Sequence, residues 1–543
     1  MADPIDAVML LSPGCVTLAE LRALRDERVR LRLHEAALRD VAAAHRAIER
    51  TLERGAVAYG INTGFGKFAQ TIIARERLSE LQTNLVLSHS AGTGALLADE
   101  VVRLVMVLKA IGLGRGHSGV RPELIRTLLD LVNARAYPCI PAKGSVGASG
   151  DLAPLAHLAA ALIGVGEVRL GGERMPARDA LQRTGVEPLV LGPKEGLALL
   201  NGTQVSTALA LSGLFGAEDV LGAALMAGAL SLEAIKGSLK PFDARIHAAR
   251  GHRSQSDVAR VVRELVHGSA ILASHADCSR VQDPYSIRCQ PQVMGACLDN
   301  LRHAARVLQI EANAASDNPL VFAQDEEILS GGNFHAEPVS FACDQLALVL
   351  AEIGALSERR IALLVDANLS GLPPFLVREG GLNSGFMVAH VTAAALASDN
   401  KALSFPATVD SLPTSANQED HVSMATNAAR RLGEMVENSA TIVGIEAMAA
   451  AQGIEFHRPL KSSAALEETV ADIRRRVAFY ERDRFLAPDI EAMKGWVLSA
   501  PAHPSAKAVL PSTAREPSFL PGASLCELAS PRQKARSMAR RSD

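Results

Sequence analysis

The chain has 543 residues, enough for two to four domains or one large core with insertions. Hydrophobic residues make up 48% and charged residues 21%, an ordinary globular balance, while an aromatic share of 3% leaves Ala and Leu to build a helical core. A net charge of -3 gives no pull towards nucleic acid or an anionic membrane, and seven cysteines, odd in number and without a Cys-x-x-Cys pair, argue for scattered cytoplasmic thiols rather than a disulfide scaffold or zinc ribbon.

The acidic start, with Asp3 and Asp6, lacks the basic opening of a signal peptide. Residues 18–52 carry a helical pattern of Leu, Val and Ala among charges. YGINTGFGK, from Tyr59, breaks that pattern with three glycines and reads as a loop. Helices are expected over 78–89 and 96–113, followed by a turn-rich connector at 114–122. Residues 138–154 are dense in Gly, Pro, Ser and Ala and predict a loop or very tight turn. Short alternations over 168–193 suit a small strand element. From about residue 207 long helical patterns follow one another, at 213–237, 256–275, 291–315, 338–364, 385–403 and 423–451. The most apolar run, 220–232, is too short to span a bilayer and reads as a buried core helix. No fixed-period repeat is present. After about residue 500 the chain turns rich in Pro, Ser and Ala and ends on Arg532, Lys534, Arg536, Arg540 and Arg541. The expected organisation is therefore a mixed N-terminal domain over 1–205, a long-helix bundle domain over 206–500 and a disordered basic tail over 501–543.

The segment richest in chemistry is GSVGASGDLAP, from Gly144. If that loop is pressed tightly, the amide nitrogen of Gly150 can approach the carbonyl carbon of Ala148. Glycine at the attacking position and alanine at the attacked one keep steric obstruction small. Ring closure with loss of one water, then loss of the Ser149 hydroxyl as a second, leaves a 4-methylidene-imidazol-5-one (MIO). That group is a strong electrophile, which ordinary side chains cannot supply. A glycine-rich turn that merely joins two helices is the other reading of the same residues.

GSVGASGDLAPLAH closely resembles the cofactor-forming motif of the aromatic amino acid ammonia-lyases. YGINTGFG at Tyr59, NGTQ at Asn201, QDPYSIRCQPQ at Gln282, SDNPL at Ser316, GGNFHAEP at Gly331 and NQEDHVSM at Asn417 resemble the family's other signatures, in the family's order. The resemblance implies a mainly α-helical fold with a long-helix bundle, and a homotetramer whose active sites draw on more than one chain. It implies MIO from Ala148, Ser149 and Gly150, with no external cofactor and no metal. Tyr59 and Tyr285 become candidates for proton transfer; a tyrosine in a glycine-rich loop also serves packing, and at an ordinary pKa of about 10 it needs help to act as a base. Arg288 suits a substrate carboxylate, because its planar fork binds both oxygens, although a structural ion pair is the commoner fate of an Arg. Asn201 and Gln282 orient carbonyls through amide hydrogen bonds, and Phe334 walls off water.

Within the family, the pair Ser88-His89, Glu419 and Met387 resemble the histidine-acting type. A carboxylate facing an imidazole has a donor to accept from, whereas one facing a phenyl ring is desolvated without a partner. The expected reaction is deamination of L-histidine to trans-urocanate and ammonia. The alternatives are an enzyme of the same family acting on tyrosine or phenylalanine, an aminomutase, or a non-catalytic helical scaffold. His89, His335 and His421 are too scattered in sequence to argue for a metal site. The tail departs from the family pattern, which ends soon after a segment like RDRFLAPDI at Arg482.

Overall fold

Long Ala- and Leu-rich runs, with proline only in the first turn, form the body of the molecule. They fold as the helices Gln204–Ala234, Gln290–Ala312, Glu337–Val365, Met387–Leu403 and Ala425–Glu455. This computed structural model describes residues 8–26, 29–275 and 281–513. Its mainly α-helical architecture is the one the sequence predicts.

Three of the long helices run parallel. Gly213 and Gly216 of the first lie against Leu432 and Val436 of the last, and a Cβ at either glycine would collide there. Ser340 donates to the Ser423 carbonyl at 2.8 Å and Ser439 to the Leu350 carbonyl at 3.0 Å, which sets Glu337–Val365 in the same direction. The remaining two run back against them. Thr203 donates to Glu311 at 2.5 Å, and Gln290 donates to the Gly228 carbonyl at 3.3 Å. The bundle therefore gathers three helix N-termini at one end. Its interior carries a fully buried pair, Arg360 and Glu446, whose carboxylate also accepts from Ser231 and Ser357. Gln204–Ala234 and Glu337–Val365 are each long and apolar enough to cross a membrane, but their most apolar windows are 89% and 61% buried inside the protein. The apolar run 220–232 thus lies in the C-terminal half of a 31-residue helix.

The N-terminal part is smaller and mixed, and departs from the sequence reading in places. The expected helix over 18–52 is two helices, Leu18–Asp26 and Glu35–Glu53, split by the strand Arg30–Leu33. That strand pairs in parallel with Val8–Leu11, and its alternation buries Leu31 and Leu33 while exposing Arg30 and Arg32. Within 138–154 the loop holds the short strand Pro141–Lys143 and the start of the helix Leu152–Leu162. The strand element of 168–193 is a hairpin of Glu167–Leu170 and Glu173–Pro176 that turns through Gly171 and Gly172, both at positive φ. The helix Ala177–Thr184 follows it. Cys139, Cys289, Cys297 and Cys343 are free, whereas Cys15 is disulfide-bonded.

The expectation of disorder from residue 501 fails over 501–513. Ala502, Ala506, Val509 and Leu510 are buried, and Ala502 sits against Gly222. Arg302 holds the Val509 carbonyl at 2.9 Å, and Glu218 accepts from the Ser512 amide at 3.0 Å. The short helix Pro504–Lys507 and the turns that follow it seat these side chains, a docking hidden by a Pro- and Ser-rich composition. The rest of the expected tail, 514–543, lies outside the described residues.

Candidate active site

Ala148, Ser149 and Gly150 lie where the parallel helices begin. Asp151, fully buried, ties the loop to them. It accepts from Ser145 Oγ at 2.9 Å, the Ser206 amide at 2.7 Å, Ser206 Oγ at 2.9 Å and Thr426 Oγ1 at 2.6 Å. The Asp151 amide in turn donates to the Gly202 carbonyl at 2.8 Å. Gly150 lies so close to Gly202 that any Cβ would collide with its backbone, and its φ of +72° is one that L residues rarely adopt. Only glycine fits there.

The loop's carbonyls are held from the other side. The Met424 amide donates to the Val146 carbonyl at 2.8 Å, and the Gly147 carbonyl accepts from the Ala336 amide at 3.2 Å and from Ser423 Oγ at 3.0 Å. Asn201 Nδ2 donates to the Ser149 carbonyl at 2.7 Å. The Ser149 hydroxyl donates to Glu419 Oε1 at 2.5 Å, and Thr414 occupies Oε2 at 2.6 Å. Helices starting at Leu152, Gln204, Glu337 and Ala425 all begin within a few residues of these contacts. Their N-termini carry partial positive charge, which favours electron density accumulating on the loop.

The other candidate residues divide into two groups. Tyr59 accepts from the Gly66 amide at 3.3 Å, and the adjoining turn Gly66–Phe68 touches Ser415–Asn417, close to Glu419 in sequence. His89 ends the helix Leu78–His89, with Nδ1 2.9 Å from the Leu85 carbonyl. Burial holds its pKa below the ordinary histidine value, opposed by that carbonyl and by the negative charge of Glu419. Phe334 is half-buried, two residues before Ala336. Thus Tyr59, His89, Ala148, Ser149, Gly150, Asn201, Phe334 and Glu419 belong to one end of the bundle.

Gln282, Tyr285, Arg288 and Met387 belong to the other. Asp283 accepts from the Ser238 amide at 2.6 Å, and Gln290 reaches the Gly228 carbonyl. Gly228 follows Gln204 by 24 residues on one helix, about 36 Å at 1.5 Å per residue. Met387 starts a helix whose His390 binds Glu358 at 2.7 Å, 21 residues along Glu337–Val365. Tyr285 is 70% exposed. The Arg288 guanidinium stacks 4.5 Å from its ring centre and, among the described residues, holds no carboxylate. The single chain does not bring this group to Ser149.

A family model described as aromatic amino acid lyase matches residues 16–475. The chain belongs to this family. A histidine ammonia-lyase of Paracidovorax citrulli is 65% identical over 504 residues, covering 93% of this chain and 98% of that protein. The crystal structure of histidine ammonia-lyase from Trypanosoma cruzi superposes with a TM-score of 0.86 at 40% identity, covering 94% of this chain and 96% of that one. A tyrosine aminomutase from Streptomyces globisporus reaches the same TM-score at 36% identity, covering 90% and 96%.

Beneath the lyase loop lie residues that sequence reasoning passed over. Lys109 is 1% exposed and donates to the carbonyls of Ala198 at 3.1 Å and Asn201 at 2.9 Å. Burial pushes its pKa down to about 7, against the pull of Asp317 and Asp151. Lys194, also buried, pairs with Asp317 at 2.7 Å. A lone Lys in a helix of Val, Leu and Met was the available signal. Asp151, directly after the tripeptide, was in plain view but carried no chemistry of its own. A third set, His335 and His421, lies far apart on the chain and is brought together with Glu337 by the fold.

Proposed function

We propose that the chain is a histidine ammonia-lyase that converts L-histidine to trans-urocanate and ammonia. The observation that carries this reading is the meeting of Glu419 and Ser149 at 2.5 Å, with His89 within range of the same carboxylate charge. A carboxylate and a neutral imidazole beside the reactive loop suit a substrate with ring N–H groups and leave a phenyl ring with unpaired polar neighbours. The family and the 65% identical relative of that name support it.

Ala148, Ser149 and Gly150 form MIO in this reading, and the Gly150–Gly202 approach suits the closure. The group supplies an electrophile that activates an otherwise inert amino acid for loss of ammonia. The chain's own residues do the rest. Asn201 fixes the Ser149 carbonyl, Glu419 and His89 hold the imidazole, and Phe334 excludes water. Arg288 clamps the substrate carboxylate with its two-pronged guanidinium, with Gln282 and Met387 beside it. Tyr59 and Tyr285 carry protons at the reacting carbon.

The Arg288 group has to come from another copy, so the working enzyme is a homotetramer with shared sites. The roughly 36 Å separation along the helix axis supports this. So do the exposed apolar side chains Phe341, Leu348, Val388 and Val391 on the long helices, which a monomer would leave in water. Histidine, tyrosine and phenylalanine should be compared as substrates, alongside intact mass. Histidine should be preferred, with the protein lighter than its sequence by two waters. Faster turnover of tyrosine would overturn the substrate, and an unmodified mass in active enzyme the cofactor.

A further inference from the structure

The segment that carries His89 is tied to both limbs of the reactive loop at one residue, Gly92. On the limb that leads in, the strand Thr93–Leu96 pairs antiparallel with Pro141–Lys143, with Thr93 opposite Lys143. A Cβ on Gly92 would lie 3.3 Å from the Lys143 carbonyl oxygen, and one on Gly144 would lie 3.1 Å from the Gly92 Cα. On the limb that leads out, the Gly92 amide donates to His157 Nε2 at 3.1 Å. His157 is the one polar side chain of the helix Leu152–Leu162, which starts two residues after Gly150 and packs on the helix ending at His89. An amide N–H can only donate, so Nε2 presents its lone pair and Nδ1 carries the proton. Burial holds the His157 pKa below the ordinary histidine value, which favours this neutral ring. From Gly92 back to His89 the chain is short and closed by the Ala91 amide, which donates to the His89 carbonyl at 2.8 Å. The His89 ring is fixed by the same logic. A carbonyl can only accept, so Nδ1–H donates to Leu85 and Nε2 is left as an acceptor.

We infer that His157 is a positioning residue for recognition of the substrate ring, because it fixes the His89 acceptor relative to Ser149. This rests on the reading of His89 as a ring-binding residue. The path between the two is stiff: along the helix from the loop to His157, across one hydrogen bond to Gly92, and back through a closed turn to His89. Without the Nε2 lone pair the Gly92 amide loses its acceptor, and the end of the helix Leu78–His89 is released on that side. The loop keeps its own shape, since Asp151, Ser423 and Met424 hold it. His89 meets the substrate ring in the ground state and the transition state alike. Its displacement therefore weakens binding more than it slows the chemical step.

The test uses the full-length enzyme with three substitutions. His157→Leu keeps bulk and removes the acceptor, His157→Gln supplies a side-chain carbonyl that can accept from Gly92, and Gly92→Ala crowds the same contact from the other side. The Leu and Ala variants should raise KM for histidine at least about fivefold, with kcat within about threefold of wild type and the ring chromophore intact. The Gln variant should stay within about twofold of wild type in KM. Hydrogen exchange over residues 90–97 reads the tie without any substrate: it should quicken in the Leu variant and remain near wild type in the Gln variant. An unchanged KM in the Leu and Ala variants, a loss confined to kcat or to the chromophore, or a Gln variant no better than Leu would each overturn the assignment. A wild type that leaves histidine untouched would sink the substrate reading instead, and the exchange comparison would still decide whether His157 holds the His89 segment.

Discussion

Lys109 Nζ donates to the carbonyl of Asn201 at 2.9 Å, and Asn201 in turn donates from Nδ2 to the carbonyl of Ser149 at 2.7 Å. A buried ammonium is therefore one residue removed from the tripeptide. It also takes the Ala198 carbonyl, at the C-terminal end of the helix Glu195–Leu200, where the backbone dipole favours a positive charge. The segment it fixes includes Gly202, against which Gly150 is pressed.

Lys109→Met should leave two buried carbonyls without a donor, at about 1–3 kcal/mol each. We expect a lower Tm and, at temperatures where the variant is folded, a reduced yield of the ring chromophore in near-ultraviolet absorbance. Full chromophore yield would make Lys109 purely structural. The pH dependence has a definite sign. With a folded pKa near 7 against 10.5 unfolded, the unfolded chain binds more protons in between. Lys109 therefore makes wild-type stability rise with pH across that window, relative to the Met variant. A stability difference that stays constant from pH 7 to 10 would contradict this.

Truncation tests the docked end of the chain. Stopping after residue 500 exposes the surface under Val509 and Leu510, each worth about 1.5–3 kcal/mol of burial. It also strips Glu218 of Ser512 and Arg302 of the Val509 carbonyl. Burial already pushes the Glu218 pKa up to about 7, so losing a donor adds to its cost. Thermal melts should show a clear drop, whereas an unchanged Tm would mean the docking is energetically idle.

These cases show what the sequence made legible. Ala148, Ser149, Gly150, Asn201 and Glu419 stand out because their types carry chemistry, and the fold brings them into contact. The long helices could be read because their apolar pattern outlasts any local irregularity. The strand Arg30–Leu33 could not, since four residues of alternation are lost inside a longer helical pattern. The docked segment at 502–510 was hidden by composition, and the convergence of His335 with His421, 86 positions apart, is a product of tertiary structure alone. The placing of Arg288 far from Ser149 is of the same kind. Motif order along a chain says nothing about which end of a bundle each motif reaches.

That separation yields the sharpest prediction. Ser149→Ala removes the hydroxyl whose loss would create the proposed electrophilic methylidene, and Arg288→Ala removes the proposed carboxylate clamp, so each variant alone should be close to inactive. If the two groups meet only across a subunit boundary, some sites in a mixed oligomer contain an intact loop from one chain and an intact Arg288 from another. Co-expressing the two variants, or mixing and reassembling them, should therefore restore a measurable fraction of histidine turnover. The gain should appear in kcat per total chain, with KM close to wild type, because the regenerated sites are complete. If both groups instead served one site within a chain, every site in the mixture would carry one lesion and activity would stay at the level of the separate variants. Size-exclusion chromatography with differently tagged chains would establish that mixed oligomers formed, so that an inactive mixture counts against the shared site.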